Sequence, residues 1–331
     1  MLTVAVTGPT GEIGKPFMAA LERSPEVGRV IGMARRPFDP ARHGWRKAEY
    51  RQGDILDREA VRELVEGVDV VAHLAFVIVA GSGASREINL TGSRNVFEAT
   101  AAAGAKRLVY TSSVAAYGFE RPEPGPLSEE VPVHGTQRHP YSAHKAEVEQ
   151  LLDECLAGSS TDAYVFRPCI VAGPQAPALV EKVPLLSLER RTPKLLRRTL
   201  GRVPGLRPVL PDPGVPFQLV HHDDVAAALC AAVTGAGEPG VYNLAGPGEL
   251  TVSDLAAELG WHSVPVPRPA VGAGAEVVSR LPILPDEAAW IEALRRPVLM
   301  DTARARERLG WEPRHDARET LRETVAAARA R

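Results

Sequence analysis

The sequence predicts an α/β fold in which a doubly wound parallel sheet is accompanied by a smaller C-terminal substrate-binding lobe. Three observations carry this prediction: short apolar runs alternate with amphipathic segments up to about residue 170, a glycine-rich turn follows the first run, and prolines interrupt the chain repeatedly after Gly173. Strict alternation of strands and helices implies right-handed crossovers between parallel strands. The proline-broken part is a second region and not a further copy of the first.

Six apolar runs are expected to be buried strands, because each is short and bounded by turn signals. In chain order they are LTVAVT, VIGM, YRQGDI, VDVVAHLA, RLVYTSS and AYVFRPCIV. Helices are expected between them over residues 15–23, 58–66, 90–103 and 142–157. The pattern of strand then helix returns at 217–233, and GVYNLAG suits a further strand. We therefore predict a first domain at 1–173 that also receives 217–245, and an interleaved lobe formed mainly by 174–331.

Composition limits the kinds of partner. The 331 residues contain 39 Lys and Arg against 41 Asp and Glu, a net charge of -2, so the chain has no general attraction for nucleic acid or an anionic membrane. The three cysteines, Cys155, Cys169 and Cys230, are too few and too widely spaced for a disulfide framework or a metal site. No signal-peptide pattern or long apolar run is present. We expect a cytoplasmic protein without a metal.

The turn TGPTGEIG carries the first functional signal. Gly8, Gly11 and Gly14 come directly after the first strand and open the first helix. Glycine lets the backbone turn tightly and approach a pyrophosphate, whose charge is favoured at a helix N-terminus. With Thr10, Glu12 and Ile13 in the same turn, the pattern predicts a dinucleotide site. The alternative is a turn with a packing role only.

Two further positions bear on which dinucleotide is bound. An NAD site usually has an acidic residue at the end of the second strand, about 20 positions beyond the glycines, whereas this chain has Arg35 and Arg36 there. Guanidinium groups suit a 2′-phosphate, so NADP is preferred and NAD remains possible. The alternative is that the arginines cap a loop. In QGDI, Asp54 is placed to accept a hydrogen bond from adenine, beside Ile55, or else to form a turn.

Tyr141 and Lys145 lie four residues apart in YSAHK. On a helix this spacing puts them on one face, where an ammonium can lower the pKa of a phenol and make it a general acid or base. Taken alone, the spacing is also typical of an exposed helix that carries an unrelated tyrosine and lysine.

In their order, TGxxGxxG, GDI, HLA, TSSVAAYG and YxxxK resemble the extended short-chain dehydrogenases/reductases, in the NAD-dependent epimerase/dehydratase family. The resemblance continues through RPCIVAGP, LVHHDDVAAAL, GVYNLAG and LGWEP, so it covers nearly the whole chain. It implies a Rossmann fold that binds NAD(P). Residues of about 176–214 and 265–295 fall outside it, in stretches where family members vary with their substrates.

The resemblance also implies roles for individual residues. Tyr141 would be the catalytic acid/base, Lys145 would bind the nicotinamide ribose and lower the tyrosine pKa, Ser113 would hydrogen-bond the reacting oxygen, and Asn89 would support a proton relay. Further cofactor contacts would come from Leu74, Ala75, Arg167 and Pro168. The sequence departs from the family pattern at Phe76, His144 and Ala172, which predicts some reshaping near the cofactor.

Three functions remain open. The leading one is an NADP-dependent oxidoreductase acting on a secondary alcohol or carbonyl of a small molecule, the second is a nucleotide-sugar epimerase that uses the same Ser-Tyr-Lys set, and the third is an NADP-sensing regulator without turnover. Sugar dehydration is disfavoured, because the resemblance implies that a dehydratase would carry an Asp-Glu pair beside Ser113 and this chain has none there.

Two other features also have two interpretations. The basic residues within 181–207 suit either a diphosphate clamp or a solvated helix face. His221 and His222 suit a structural role better than a metal or catalytic one. The resemblance implies a homodimer joined through helices at about 86–103 and 142–157.

Overall fold

A computed structural model describes residues 1–78, 83–119, 125–181, 208–267 and 297–330. The strands are β1 Leu2–Thr7, β2 Val27–Ala34, β3 Ala48–Gln52, β4 Val70–His73, β5 Arg107–Thr111, β6 Asp162–Pro168, β7 Ile170–Ala172, β8 Val209–Asp212, β9 Leu219–His221, β10 Gly240–Leu244 and β11 His262–Pro265. The α-helices are α1 Gly14–Arg23, α2 Arg58–Val65, α3 Gly83–Glu87, α4 Ser93–Ala103, α5 Pro140–Leu156, α6 Ala178–Glu181, α7 His222–Thr234, α8 Val252–Glu258, α9 Ala303–Leu309 and α10 Ala317–Ala330.

Seven strands form one sheet in the order β10-β6-β5-β4-β1-β2-β3, and every recorded pairing in it is parallel. The chain runs outward from β1 through β2 to β3 and then returns to place β4 on the other side of β1. The strand order therefore reverses between β1 and β4, which is the point where doubly wound sheets bind ligands at their carboxyl ends. The predicted α/β fold class is confirmed.

The strand expected from AYVFRPCIV is divided between two sheets. β6 keeps its place in the large sheet up to Pro168, and the Cys169 amide still donates to the Leu244 carbonyl at 2.9 Å. The next three residues form β7 and pair with β9 in a two-stranded sheet. The apolar pattern was correct, but the prediction of one continuous strand was wrong, because an apolar run does not show where its hydrogen-bond partners change.

The chain divides into two compact units. Unit 1 comprises Met1–Cys169, His222–Ala245 and Met300–Glu312. Unit 2 comprises Ile170–His221, Gly246–Leu299 and Pro313–Arg331. Like the predicted domains, the units interleave along the chain. The assignment of cofactor and substrate roles to them stays a prediction.

Each unit has its own hydrophobic core. In unit 1, apolar side chains of β1, β4 and β5 pack with those of α2, α4 and α5, including Val71, Phe97 and Leu152. In unit 2, residues of α8 and α10 pack around Leu219 and Trp261. Unit 2 has only short strands among its described residues, in the pairs β7-β9 and β8-β11. Within the described ranges, no helix combines the length and the apolar character needed to cross a membrane.

Candidate active site

The glycine turn after β1 is shaped for close approach. Gly8 has a φ of +75°, and a Cβ on it would lie 2.8 Å from the Ala75 amide nitrogen. A Cβ on Gly14 would collide with the Gly8 carbonyl, and the Gly11 amide donates to that same carbonyl at 3.2 Å. Helix α1 begins at Gly14. A turn this compact, opening directly into a ten-residue helix, fits a pyrophosphate at the helix N-terminus.

A buried histidine braces the neighbouring turn at Leu74 and Ala75. His73 Nδ1 lies 2.7 Å from Thr7 Oγ1, and its Nε2 lies 2.9 Å from Ser93 Oγ. The Ala75 amide donates to the same Thr7 oxygen at 3.3 Å. Burial lowers the pKa of His73 to about 3, so the ring is neutral at physiological pH. The two turns that the resemblance assigns to the cofactor are thus tied to each other through neutral hydrogen bonds.

The paired arginines lie beyond the end of β2, and both are exposed. Their backbone is anchored by β3: the Tyr50 hydroxyl contacts the carbonyls of Ala34 at 3.1 Å and Arg36 at 2.9 Å, and Gln52 Nε2 donates to the Arg35 carbonyl at 3.1 Å. Within the described parts of the chain, no ion pair is recorded for either guanidinium. Both groups can therefore meet an anion without first breaking an ion pair.

Asp54 and Ile55 follow β3. Asp54 Oδ1 accepts from the Leu56 amide at 3.1 Å, so the aspartate forms a local turn as the alternative interpretation expected. The Ile55 side chain is buried, and its carbonyl accepts from Asn95 Nδ2 at 2.9 Å. Contact between Asp54 and adenine stays a prediction.

The structure brings Ser113 and Tyr141 together. Ser113 follows β5 in extended conformation, accepts from the Ala115 amide at 3.2 Å, and lies close enough to the Tyr141 side chain at the start of α5 to affect its pKa. Burial raises the pKa of Tyr141, and the neighbouring Ser113 hydroxyl acts in the opposite direction. This differs from the expected lowering of the tyrosine pKa by Lys145. The phenol is held protonated at neutral pH.

Lys145 is buried one helical turn further along α5. Its Nζ donates to the Thr111 carbonyl at 2.8 Å and to the Tyr110 hydroxyl at 3.4 Å, and lies 6.0 Å from the centre of the Tyr141 ring. Burial lowers the pKa of Lys145 to about 7, and the charge of Glu149 opposes that change. The lysine therefore titrates near physiological pH.

A buried ion pair not foreseen from the sequence lies on the next turn of the same helix. Glu149 accepts from Arg167 Nη2 at 2.5 Å and Nε at 3.0 Å, and from Ser112 Oγ at 2.5 Å. The Arg167 guanidinium also lies 4.6 Å from the centre of the Tyr117 ring. Ser112 thus serves the ion pair while Ser113 faces Tyr141. In the sequence, the position of Glu149 four residues after Lys145 could have indicated that this carboxylate lies on the same helix face as the lysine.

Arg167 and Pro168, expected at the nicotinamide end, are both buried at the end of β6. Glu149 and the Tyr117 ring engage the guanidinium of Arg167, as described above. Cofactor contact by either residue stays a prediction.

Asn89 lies in a π-helical turn, Ile88–Gly92, that precedes α4. Its amide exchanges two hydrogen bonds with the backbone of Val77, each 2.9 Å long, and His144 Nδ1 lies 3.3 Å from Asn89 Nδ2. Burial lowers the pKa of His144. Such π-turns occur often at functional sites. The turn fixes the segment that leads away from Ala75 and Phe76.

Two remaining features belong to unit 2. The His221 ring stacks on His315 with centroids 3.9 Å apart and planes 24° apart, and its Nε2 is 3.3 Å from Glu323. Possible ligand atoms of His221, His315 and Glu323 lie within 4.8 Å of one another, so a structural role for His221 stays a prediction. The basic stretch 181–207, apart from Glu181, lies outside the described residues.

Comparison with known proteins shows which family and which proteins this chain is similar to. The sequence profile described as the NAD dependent epimerase/dehydratase family matches residues 4–245. An uncharacterized protein of Mycobacterium tuberculosis is 30% identical over 332 residues, which cover 100% of this chain and 30% of that protein. The chain thus spans about 30% of the length of the first curated relatives it matches.

Two other similarities involve proteins with stated activities. The 3 beta-hydroxysteroid dehydrogenase type 7 of Homo sapiens is 33% identical over 164 residues, 46% of this chain and 44% of that protein. The structure of UDP-glucose 4-epimerase from Thermotoga maritima superimposes with a TM-score of 0.73 at 22% identity, covering 99% of each chain. The second similarity is one of fold.

Proposed function

The chain belongs to the NAD dependent epimerase/dehydratase family, and from that membership we propose that it is an NADP-dependent oxidoreductase. Its substrate is a small molecule with a secondary alcohol or a carbonyl group. Tyr141 exchanges the proton of the reacting oxygen, Ser113 holds that oxygen, and Lys145 contacts the nicotinamide ribose.

The observation that carries the proposal is that Ser113 and Lys145 lie beside the buried Tyr141: Ser113 lies close enough to affect the tyrosine pKa, and the Lys145 ammonium is 6.0 Å from the centre of the tyrosine ring. Two hydroxyls at the carboxyl end of β5 can hold one substrate oxygen between them, which orients the adjacent carbon. Nicotinamide, when bound, supplies or accepts the hydride at that carbon. Because burial raises the pKa of Tyr141, the phenol is protonated at neutral pH and suited to donate to a carbonyl oxygen.

The cofactor assignment rests on two sets of residues. The compact turn from Gly8 to Gly14, which opens directly into α1, supports binding of a pyrophosphate there. Arg35 and Arg36 are exposed on a backbone that β3 anchors, which supports pairing with a 2′-phosphate. NADP preference is the finer part of the proposal, since the family description names NAD.

A nucleotide-sugar epimerase is the second candidate. It would use the same Ser113, Tyr141 and Lys145, and it is supported by the likeness to UDP-glucose 4-epimerase over 99% of the chain. The likeness to a hydroxysteroid dehydrogenase at 33% identity supports the oxidoreductase instead. An epimerase regenerates its own cofactor within one cycle, whereas a reductase exchanges cofactor with the surrounding pool.

Mass spectrometry of the nucleotide retained by the purified protein tests this difference. We expect protein without nucleotide that then binds NADPH reversibly and more tightly than NADH, measured by the change in nicotinamide fluorescence. Tightly held NAD, released only on denaturation, would contradict the reductase and favour the epimerase. Equal affinity for NADPH and NADH would contradict the NADP assignment alone.

A further inference from the structure

We propose that Phe76 is a positioning residue that holds the Lys145 ammonium against the face of its aromatic ring. The Lys145 Nζ lies 3.6 Å from the centre of the Phe76 ring, well within the distance of a cation–π contact. The proposal rests on the proposed function in one respect: that function is what makes Lys145 important. The contact itself is independent of any substrate.

The Phe76 ring is fixed from two further sides. Its plane meets the Tyr141 ring edge-on, with centroids 5.6 Å apart and an angle of 89°. Phe76 also packs against the buried core of unit 1. The ring therefore contacts both members of the Tyr141 and Lys145 pair. An alanine at this position would have no ring face to offer.

The surroundings of Lys145 explain why a ring face matters. The titratable groups that face it are Glu149 and Tyr141 on α5, Tyr110 on β5 and His73 on β4. Of these described groups, only Glu149 is an anion, and Arg167 and Ser112 already engage its oxygens. The charge of Lys145 is therefore stabilised at close range by the Thr111 carbonyl, 2.8 Å away, the Tyr110 hydroxyl, 3.4 Å away, and the Phe76 ring, whose centre at 3.6 Å is nearer than that of the Tyr110 ring at 5.1 Å.

The direction of the effect follows from which form the ring stabilises. A ring face attracts the protonated lysine and not the neutral amine, so the contact raises the lysine pKa against the lowering caused by burial. Replacing the ring with an aliphatic side chain should lower the Lys145 pKa below its value of about 7. We expect a drop of about one unit, which is about a tenfold weaker affinity for the proton.

The pKa can be measured directly in protein labelled with ¹³C-lysine, by following the Lys145 Cε resonance through a pH titration. The Lys145→Arg variant assigns that resonance. The test variants are Phe76→Leu and Phe76→Met, which keep apolar bulk without a ring, and the matched control is Phe76→Tyr, which keeps the ring face. We expect a lowered pKa in both aliphatic variants and a value near that of the wild type in Phe76→Tyr.

An unchanged Lys145 pKa in the aliphatic variants would overturn the inference, as would an equal drop in Phe76→Tyr. The equal drop would mean that local packing, and not the ring face, sets the pKa. Because the titration uses protein without substrate, either result leaves the proposed function intact. Conversely, if Tyr141→Phe retained full turnover, the proposed function would fail while a lowered pKa in the aliphatic variants still supported the positioning role.

Discussion

At the carboxyl end of β5, the Ser113 hydroxyl accepts from the Ala115 amide, the Lys145 ammonium donates to the Thr111 carbonyl, and burial shifts the pKa values of Tyr141 and Lys145. At the carboxyl end of β2, the guanidiniums of Arg35 and Arg36 are exposed, and only their backbone is held. Both places lie at the same edge of one parallel sheet. At the end of β5 the side chains are held by protein contacts, whereas at the end of β2 only the main chain is held.

The contrast agrees with the different tasks proposed for the two places. Proton transfer needs a fixed donor with a tuned pKa, and burial provides both. Recognition of a phosphate needs charge that is free to meet an incoming anion, and an exposed arginine loses little water and breaks no existing pair. Substitutions at the first place should therefore affect turnover or stability, and those at the second should affect cofactor choice.

The largest effect is expected from Tyr141→Phe. Removing the phenol hydroxyl removes the proton donor, so turnover of a carbonyl substrate with NADPH should fall about 10³-fold. NADPH affinity should stay within about twofold, because a single neutral hydrogen bond contributes little to net binding. Initial rates of NADPH oxidation and fluorescence titrations measure the two quantities.

Tyr164→Phe is the matched control, since it removes a tyrosine hydroxyl that bonds to the Gly237 carbonyl elsewhere in unit 1. Its turnover should match that of the wild type. If turnover in Tyr141→Phe stayed close to the wild-type rate, the tyrosine would not be the proton donor. The proposed difference between the two places would then be wrong.

The next effect is expected on stability, from Glu149→Gln. The change leaves the buried Arg167 without its anionic partner, and breaking a buried pair in this way costs about 3–5 kcal/mol. The free energy of unfolding should fall by that amount in urea titrations. Glu154→Gln, on the same helix but exposed and 3.5 Å from Arg94, should change it by less than about 1 kcal/mol. If both variants lost the same free energy of unfolding, burial would not make the Glu149–Arg167 pair more stabilising than the Glu154–Arg94 pair.

The smallest effect is expected at the exposed place, from Arg35→Ala combined with Arg36→Ala. Loss of charge-assisted hydrogen bonds to a 2′-phosphate should weaken NADPH binding about 10- to 100-fold and leave NADH binding within about twofold. Fluorescence titrations at fixed ionic strength measure both affinities. The control is Arg42→Ala, a nearby exposed arginine paired with Asp39 at 3.6 Å. An unchanged preference for NADPH in the double variant would show that the arginines have another role.

The sequence predicted the layered architecture because strands and helices each produce a repeating pattern of apolar residues. Alternating apolar runs and amphipathic segments located β1, β2, β4 and β5, and also the helices on either side of them. The sequence did not predict that β6 ends at Pro168 and that β7 joins another sheet. Strand partners depend on contacts between distant parts of the chain, and no local pattern records them.

For the candidate site, motifs located the glycine turn, Ser113, Tyr141 and Lys145, because these residues occur at fixed spacings within short segments. They did not reveal the contact of Phe76 with Lys145 or the partnership of Glu149 with Arg167. Those contacts join residues on separate elements, and an aromatic ring or a carboxylate in the sequence does not indicate what it touches. The direction of the Tyr141 pKa was missed for the same reason, because burial is a property of the folded chain.

The interleaving of the units has a consequence for how the protein is made. Strand β10 lies next to β6, and Asn243 within it accepts from the Tyr117 hydroxyl at 2.8 Å and donates to the carbonyls of Leu127 and Asp301. During synthesis, residues 1–169 leave the ribosome well before residues 222–245 and 300–312. Residues 1–169 carry every proposed catalytic group. Their sheet therefore has an unpaired edge at β6 until β10 has been synthesised and pairs with it.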